Sequence, residues 1–219
     1  MCVASFCNTF LFDEYNLIMK KIAVVGHKGR MGSLMVEELR KDYIVDGVGR
    51  NDNLDNLKDI DLVIDFSNHK RSLEVAEFCL KNKLPIIIGS TGHTGEENER
   101  LEEISKHIRL IKKANFSRGI KVLENFVECV LRLAPQRFEI IEKHHKNKLD
   151  SPSGTALELE RFIRQRFSGV VDIKSIREGG EMGEHTIVAY VGDEKLTITH
   201  NVYSREVFVK GVACDVKLI

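Results

Sequence analysis

An apolar strand that runs directly into a glycine-rich turn and an amphipathic helix restricts the fold of this chain more than any other feature. Residues 21–25 read Lys-Ile-Ala-Val-Val, and Gly26, Gly29 and Gly32 follow in a G-x-x-G-x-x-G pattern. Glycines permit a tight turn, and free N–H groups at the start of the helix can face a phosphate. The pattern predicts a nucleotide-binding turn, although a tight turn with glycines needed only for packing would show the same glycine spacing. The helix that follows presents four apolar residues on one face: Met31, Leu34, Met35 and Leu39.

Strand and helix patterns then alternate through the first half of the chain. Alternation of this kind is typical of an α/β fold, with a Rossmann-type doubly wound parallel sheet covered by helices. The continuous apolar run at 84–88 suits a strand that is buried on both faces. The other predicted strands lie at 43–48, 61–66 and 108–112, and the predicted helices at about 70–82 and 95–107.

The pattern changes near residue 117, where a longer amphipathic helix is predicted over about 118–133. Several β-rich runs and one more helix follow and predict a second, α+β domain. We therefore expect an extension of uncertain order, and dispensable, at 1–18, a first domain at 19–116 and a second at 117–205. Residues 206–219 are expected to return to the first domain, as either a helix or a strand. The other predicted elements are strands at 137–142, 171–177, 185–191 and 195–200 and a helix at about 155–167.

Composition excludes several classes of protein. Lys plus Arg number 33 and Asp plus Glu number 33, so the basic excess of a nucleic-acid-binding protein is missing. No apolar run approaches the roughly 20 residues of a membrane span. The five cysteines are scattered without a C-x-x-C pair, which argues against a zinc site or disulfide framework and for a reduced, cytoplasmic protein. Cys79 and Cys129 lie in apolar helical patterns and are expected to be buried.

Candidate cofactor-binding residues follow the predicted strands. Lys28 and Arg30 add positive charge to the glycine turn, and Arg50 follows the second strand. An acidic residue there binds the ribose hydroxyls of NADH, whereas an arginine accommodates the 2′-phosphate of NADPH. Arg50 therefore favours NADPH, although a surface arginine is the alternative. Two later loops, 89–92 and 114–117, fall where a nicotinamide ring would lie, although each is also compatible with a simple turn.

The most distinctive stretch is residues 139–156. A strand brings His144, His145 and Lys148 into a loop, and the following Pro-Ser-Gly-Thr begins a helix. The amides at a helix start, together with imidazole and ammonium groups, can bind carboxylates and transfer protons near neutral pH. A solvated basic loop followed by an ordinary N-cap is the alternative. Ser153 suits the N-cap in either case.

Residues 142–156 read E-K-H-H-K-N-K-L-D-S-P-S-G-T-A, which closely resembles the E-x-H-H-x-x-K-x-D-x-P-S-G-T-A signature of the 4-hydroxy-tetrahydrodipicolinate reductase family. The resemblance spans about residues 19–213. This family acts in diaminopimelate and lysine biosynthesis. Further family segments occur in the same order: G-x-x-G-R-M-G at 26–32, I-D-F-S at 64–67, G-S-T-G at 89–92, A-N-F-S at 114–117, G-E-H-T at 183–186, and Ser204-Arg205.

The resemblance implies a role for each matching residue. It implies His144 as the acid/base group and Lys148 as the proton donor, with no metal. It implies a small dicarboxylate substrate, NADPH or NADH as cofactor, and a homotetramer without nucleic-acid or membrane partners. Substrate-binding residues would be His145, Ser153, Gly154, Thr155 and Arg205. Cofactor-binding residues would be Gly26, His27, Lys28, Gly29, Arg30, Met31, Arg50, Gly89, Ser90, Thr91, Lys113, Ala114, Asn115 and Phe116.

Two departures and two alternatives accompany the resemblance. Family members usually continue past the region of Gly211 with a helix and a tail, whereas this sequence ends at Ile219. Well-known members also carry an acidic residue where Arg50 stands, which leaves the cofactor preference open. A non-catalytic NAD(P)-binding sensor and another Rossmann oxidoreductase, such as an amino-acid dehydrogenase, are the competing hypotheses. The paired histidines, Lys148 and the Pro-Ser-Gly-Thr helix start favour the reductase.

Overall fold

Two β-sheets, each with its own helices, organise the residues that the computed structural model describes, 20–180 and 182–219. The expected extension at 1–18 lies outside the described residues. The first sheet has five strands, and the helices that connect them follow the predicted alternation. These elements are β1 (Lys21–Val25), α1 (Arg30–Leu39), β2 (Ile44–Val48), a 3₁₀ turn (Leu54–Asn56), β3 (Leu62–Asp65), α2 (His69–Asn82), β4 (Ile86–Ile88), α3 (Gly95–Ser105) and β5 (Leu110–Lys112).

The first sheet is parallel throughout, with the strand order β2-β1-β3-β4-β5. Its central strands are apolar because both of their faces are covered. One face packs against α2 and α3 through Val75, Cys79 and Leu101, and the other against α1 through Met35 and Leu39. The predicted doubly wound Rossmann-type sheet is therefore confirmed.

The elements of the second half are α4 (Arg118–Leu131), β6 (Arg137–His144), α5 (Gly154–Arg164), β7 (Val170–Arg177), β8 (Gly183–Val191) and β9 (Glu194–Val202). Its four strands form a second sheet in the order β7-β6-β8-β9. β6 and β7 are parallel and joined through α5, whereas β8 and β9 pair antiparallel. Phe138 and Ile187 on one face of this sheet pack against Leu123 and Leu159 of the two helices, which confirms the predicted α+β character.

The last element, α6 (Glu206–Val216), is a helix rather than a strand and packs against the first sheet. Val209, Val212 and Val216 share a core with residues of α1 and β1. Gly211 allows the close approach, because a Cβ at this position would lie 1.7 Å from the carbonyl oxygen of Phe116. The chain thus begins and ends its described part on the same sheet.

Two expectations about α4 are wrong in detail. Cys129 is exposed rather than buried, whereas Cys79 is buried as expected. The buried stripe of α4 follows Leu123, Val127 and Val130, and Cys129 lies on the solvent side of that stripe. The helix was also predicted to continue to about 133, but it ends at Leu131. Ala134, in the turn beyond, has φ +51.

Within the described residues, no helix combines the length and the apolar character that a membrane crossing requires.

Replacing Gly211 by Ala should destabilise the protein by about 1–3 kcal/mol, because the added methyl group overpacks the contact between α6 and Phe116. The loss is expected although alanine is the better helix former. Urea unfolding followed by circular dichroism measures it. Gly95→Ala is the matched control, since nothing lies within 4 Å of a Cβ there. Equal stability of the two variants would contradict the prediction.

Candidate active site

The β1–α1 turn has the conformation of a phosphate-binding loop. Gly26 has φ +83, and a Cβ at this residue would lie 2.6 Å from the Phe66 carbonyl oxygen. A Cβ on Gly32 would lie 2.1 Å from the Gly26 carbonyl oxygen. Both positions therefore require glycine. Gly29 is the N-cap of α1 and supplies no side-chain cap, so the first amides of the helix are left to bind an anion such as a pyrophosphate.

The other cofactor candidates follow β2, β4 and β5, whose carboxyl ends share one edge of the sheet with the glycine turn. Arg50 is exposed. The nearby Asp52 carboxylate, which is the acidic group closest to the end of β2, accepts a hydrogen bond from the Gly49 N–H at 2.7 Å. The residues thus fit a nicotinamide dinucleotide, because parallel sheets of this kind bind dinucleotides at the carboxyl ends of their strands.

Three predicted cofactor residues use their side chains for contacts within the protein. The Ser90 hydroxyl donates to the buried Asp65 carboxylate at 2.5 Å, and burial raises the pKa of Asp65. Lys113 forms an ion pair with Asp215 of α6 at 2.6 Å. The Phe116 ring is 6% exposed and belongs to the core. Any contact of Phe116 with a cofactor would therefore involve its backbone.

A cavity of about 440 Å³ lies between the two sheets and contains most of the predicted catalytic and substrate residues. It brings Arg30 and the loop after β5 from the first domain against the histidine loop and the start of α5. No group of three or more His, Cys, Asp or Glu side chains suited to a metal ion occurs within 20–180 and 182–219. The residues that line the cavity include Arg30, Ala114, Asn115, His144, His145, Lys148, Asp150, Thr155, Met182, Gly183, His185 and Phe208.

His144 is held from behind by a buried carboxylate. Its Nδ1 lies 2.5 Å from Oε2 of Glu142, which is fully buried. Arg177 donates two hydrogen bonds to the same carboxylate, at 2.9 and 2.5 Å. Burial lowers the pKa of His144, and the neighbouring Glu142 opposes that shift without cancelling it. The imidazole is therefore neutral around pH 7.

A second imidazole, His185, packs edge-on against His144 with 5.2 Å between the ring centroids. His185 is 1% exposed, and burial lowers its pKa to about 3. Its Nε2 lies 3.1 Å from the Ser153 hydroxyl, which also accepts the Ala156 N–H as the N-cap of α5. Ser153 is consequently a structural cap that is 2% exposed.

Of the remaining candidates, Lys148 and Thr155 line the cavity, whereas Arg205 does not. Lys148 forms an ion pair with Asp150 at 2.7 Å. Thr155, in the first turn of α5, accepts a hydrogen bond from the Asn115 side chain at 3.2 Å. Arg205 does not belong to the residues that line this cavity; it is the N-cap residue of α6.

Sequence reasoning assigned no role to several residues that the structure brings to His144. Glu142 and His185 lie within the segments that carry the family resemblance, so their positions were visible although their contacts were not. Gly183 lies in the same resembling segment as His185, whereas Arg177 had no local signal, because strand pairing alone places it beside the loop. In the parallel pairing of β6 and β7, His144 is the register partner of Arg177.

A Rossmann-type dinucleotide-binding sheet, a second mixed sheet and a cationic cavity between them define the class of two-domain nicotinamide-dependent oxidoreductases. Comparisons with known proteins identify the family within this class. The family model "Dihydrodipicolinate reductase, N-terminus" matches residues 44–116, and "Dihydrodipicolinate reductase, C-terminus" matches residues 119–219. The chain belongs to the dihydrodipicolinate reductase family, also called the 4-hydroxy-tetrahydrodipicolinate reductases.

Individual relatives agree with this assignment. The chain is 32% identical to the 4-hydroxy-tetrahydrodipicolinate reductase of Buchnera aphidicola subsp. Cinara cedri, over 87% of this chain and 88% of the relative. It is 33% identical to that of Clostridium tetani, over 89% of each chain. The solved structure of a dipicolinate-bound dihydrodipicolinate reductase from Paenisporosarcina sp. TG-14 shares the fold, with a TM-score of 0.71 and 22% identity, covering 91% of this chain and 94% of that one.

Stability should fall as the pH is lowered below 6.5, in part because of His185. The folded state keeps this imidazole neutral down to about pH 3, whereas in the unfolded chain it binds a proton near its ordinary pKa of 6.5. The unfolded state therefore gains protons first, and His185 contributes a loss of up to about 1.4 kcal/mol per pH unit. Denaturant unfolding between pH 6.5 and 5.0 should give a shallower slope for His185→Gln.

The exposed His107 provides the control for that measurement, since His107→Gln removes a histidine from the surface. A His185→Gln slope equal to that of the unsubstituted protein would contradict the assignment.

Proposed function

We propose that this protein reduces 4-hydroxy-tetrahydrodipicolinate to tetrahydrodipicolinate, using NADPH or NADH, in the biosynthesis of diaminopimelate and lysine. The cyclic substrate, NAD(P)H and one proton give tetrahydrodipicolinate, NAD(P)⁺ and water. The observation that carries the proposal is the cavity in which His144, His145 and Lys148 face the sheet edge that carries the glycine turn. The reduced nicotinamide supplies the hydride when it is bound.

The cavity suits a ring with two carboxylates. His145, Lys148 and Arg30 line it as nitrogen donors, and α5 begins at its wall with Gly154 and Thr155. The N-terminal amides of α5 and the partial positive charge of the helix favour a carboxylate at this end. Positioned cations and amides fix the orientation of the ring, which is the main requirement for hydride transfer to one carbon.

Two side chains are placed to handle the protons of the reaction. The Lys148 ammonium, held by Asp150, is the donor to the carbon next to the one that accepts hydride. His144 is neutral near pH 7 and serves as the acid/base group in the loss of water. Glu142 and Arg177 support the imidazole from the side opposite the cavity.

We propose NADPH as the preferred cofactor, with NADH also used. Arg50 is exposed after β2, where the adenosine ribose of a bound dinucleotide would lie. Asp52, the acidic group nearest to that point, is engaged by the Gly49 amide and is therefore less suited to binding ribose hydroxyls. An arginine favours the added 2′-phosphate through charge-assisted hydrogen bonds.

The competing hypotheses explain less of the cavity. A non-catalytic sensor of NAD(P) would have no need for a neutral, carboxylate-supported His144 opposite Lys148. An amino-acid dehydrogenase on the same fold would lack the paired histidines and the Pro-Ser-Gly-Thr start of α5. Both hypotheses remain distinguishable from the reductase by the assay below.

We also propose that the protein is a cytoplasmic homotetramer assembled through the second sheet. Helices α4 and α5 cover one face of this sheet, and the opposite face exposes Thr197 and Thr199 of β9 and Ile176 of β7. A broad sheet face with exposed β-branched side chains suits sheet packing between subunits. Free thiols at Cys79, Cys129 and Cys214 support a reducing compartment. Light scattering of the purified chain tests the assembly.

A coupled assay with the product of the upstream synthase tests the proposed reaction, with oxidation of NADPH and NADH followed separately. The unsubstituted protein should oxidise both. His144→Ala and Lys148→Ala should each lower kcat by about 100-fold or more, because they remove groups that transfer protons. Lys146→Ala is the control from the same loop, where the exposed side chain lies outside the cavity. Correctly folded protein that oxidises neither cofactor would refute the reductase.

Arg50→Gln should raise the KM for NADPH by about tenfold, because it removes a charged donor to the 2′-phosphate. The KM for NADH should change little, since NADH has no phosphate at this position. Arg40→Gln, at the exposed end of α1, is the matched control. An equal change for both cofactors would show that Arg50 does not read the 2′-phosphate.

A further inference from the structure

The carboxylate behind His144 is surrounded by hydrogen-bond donors. Glu142 is fully buried, and its oxygens contact Nδ1 of His144 at 2.5 Å, two nitrogens of Arg177 at 2.9 and 2.5 Å, and the Ser153 amide at 3.2 Å. Burial alone would raise the pKa of Glu142, but hydrogen bonds from Arg177, Ser175 and His144 hold it well below its usual range. Glu142 is therefore ionised, and an ionised carboxylate accepts hydrogen bonds without donating any.

This geometry determines which nitrogen of His144 carries the proton. Because Glu142 can only accept, Nδ1 must be the protonated nitrogen. In a neutral imidazole, Nε2 is then an acceptor with a free lone pair. Nε2 lies beside Gly183, which lines the cavity, and a Cβ on that residue would lie 3.0 Å from it. The glycine leaves space for a substrate atom next to Nε2.

We propose that Glu142 is a positioning residue that holds His144 in the Nδ1-protonated tautomer, with Nε2 directed at the substrate as an acceptor and base. The proposal rests on the function proposed above, and it adds the group that prepares the acid/base residue. Arg177 keeps the Glu142 carboxylate ionised inside the protein, because a buried carboxylate without a partner would take up a proton.

Arg177 also connects this pair to the loop that carries Lys148. Its Nη2 donates to the backbone carbonyl of Asp150 at 2.7 Å, and Asp150 holds the Lys148 ammonium through its side chain. Other charged or titratable groups face His144 from every element around it. They are Arg177 at the end of β7, His185 on β8, His145, Lys148 and Asp150 on the loop, and Arg30 on α1.

Glu142→Gln tests the proposal, since it keeps the size of the side chain and removes its charge. The Arg177 guanidinium will bind the remaining amide oxygen, which turns the NH₂ group toward Nδ1. A donor at that position stabilises the Nε2-protonated tautomer instead. We expect kcat to fall by about 100-fold or more while KM stays within about threefold. Glu142→Asp, which keeps the charge, should recover at least about tenfold of the lost kcat.

Two readouts separate positioning from a merely structural role. In protein labelled with ¹⁵N-histidine, the nitrogen shifts of His144 should report protonated Nδ1 in the unsubstituted protein and protonated Nε2 in Glu142→Gln. In pH profiles of kcat/KM, the inflection that His144→Ala abolishes should move to lower pH in Glu142→Gln. The direction follows because the Glu142 charge raises the pKa of His144 and its removal lowers it.

Glu77→Gln is the matched control. Glu77 of α2 also accepts two hydrogen bonds from one arginine, Arg100, at 2.5 and 2.8 Å, on the surface of the first domain. It has no histidine partner, and its replacement should leave kcat, the pH profile and the His144 tautomer unchanged.

The results can overturn the proposal in several ways. Unsubstituted protein with protonated Nε2 would do so, even if Glu142→Gln failed to fold. A folded Glu142→Gln variant with an unchanged tautomer would also overturn it. If the variant lost activity only to the extent that it unfolds, Glu142 would have a structural role alone, and the proposal would be wrong. If the unsubstituted protein has no reductase activity, the proposed function fails, and the tautomer measurements alone decide the positioning role.

Discussion

The segment between β5 and α4, residues 113–117, contacts two helices at once, α5 and α6. The Ala114 amide donates to Glu158 of α5 at 2.8 Å, and the Asn115 side chain donates to Thr155 at the start of the same helix. On the other side, Gly211 lets α6 pack against the segment's backbone. These contacts fix the start of α5 relative to the carboxyl edge of the first sheet. The distance between the glycine turn and the histidine loop therefore depends on this one joint.

The joint is polar as well as packed, which makes its geometry specific. Burial raises the pKa of Glu158, while the Ala114 amide acts in the opposite direction. A partly buried carboxyl group that lost this amide would lose a hydrogen bond, at a cost of about 0.5–1.5 kcal/mol. Other relative positions of the two sheets would therefore break hydrogen bonds inside the protein. A hydrophobic contact alone would allow more sliding, because it has no direction.

The architecture could be predicted from the sequence because the patterns that indicate strands, helices and turns are local. Apolar runs such as 84–88, the glycine turn and the helical stripe of α4 each report on their own neighbourhood, and together they predict a doubly wound sheet followed by an α+β unit. The histidine loop was visible for the same reason. Local spacing was less informative where burial is decided by other elements. Cys129 reads as apolar in the helix, but the second sheet meets a different side of α4.

The contacts behind His144 were out of reach for a different reason. Glu142 lies directly opposite His185 in the antiparallel pairing of β6 and β8, and His144 is in register with Arg177 across β6 and β7. Shifting either register by one residue would turn the partner side chain to the other face of the sheet. No local pattern specifies such a register to one residue, so the supporting groups could be found only in the structure.

The arrangement around Glu142 is better explained by chemistry than by stability. Burying an ion pair has a desolvation cost that its attraction only partly offsets, and apolar replacements of similar size are often equally stable. Here both carboxylate oxygens are satisfied by N–H groups, so the pair is tolerated, but tolerance does not explain why it lies beside a histidine. Arg177 supplies the link, because it binds both Glu142 and the carbonyl of Asp150. One partly buried cation thus supports the imidazole and the lysine loop together, and the two proton-transferring side chains keep a fixed relation to each other.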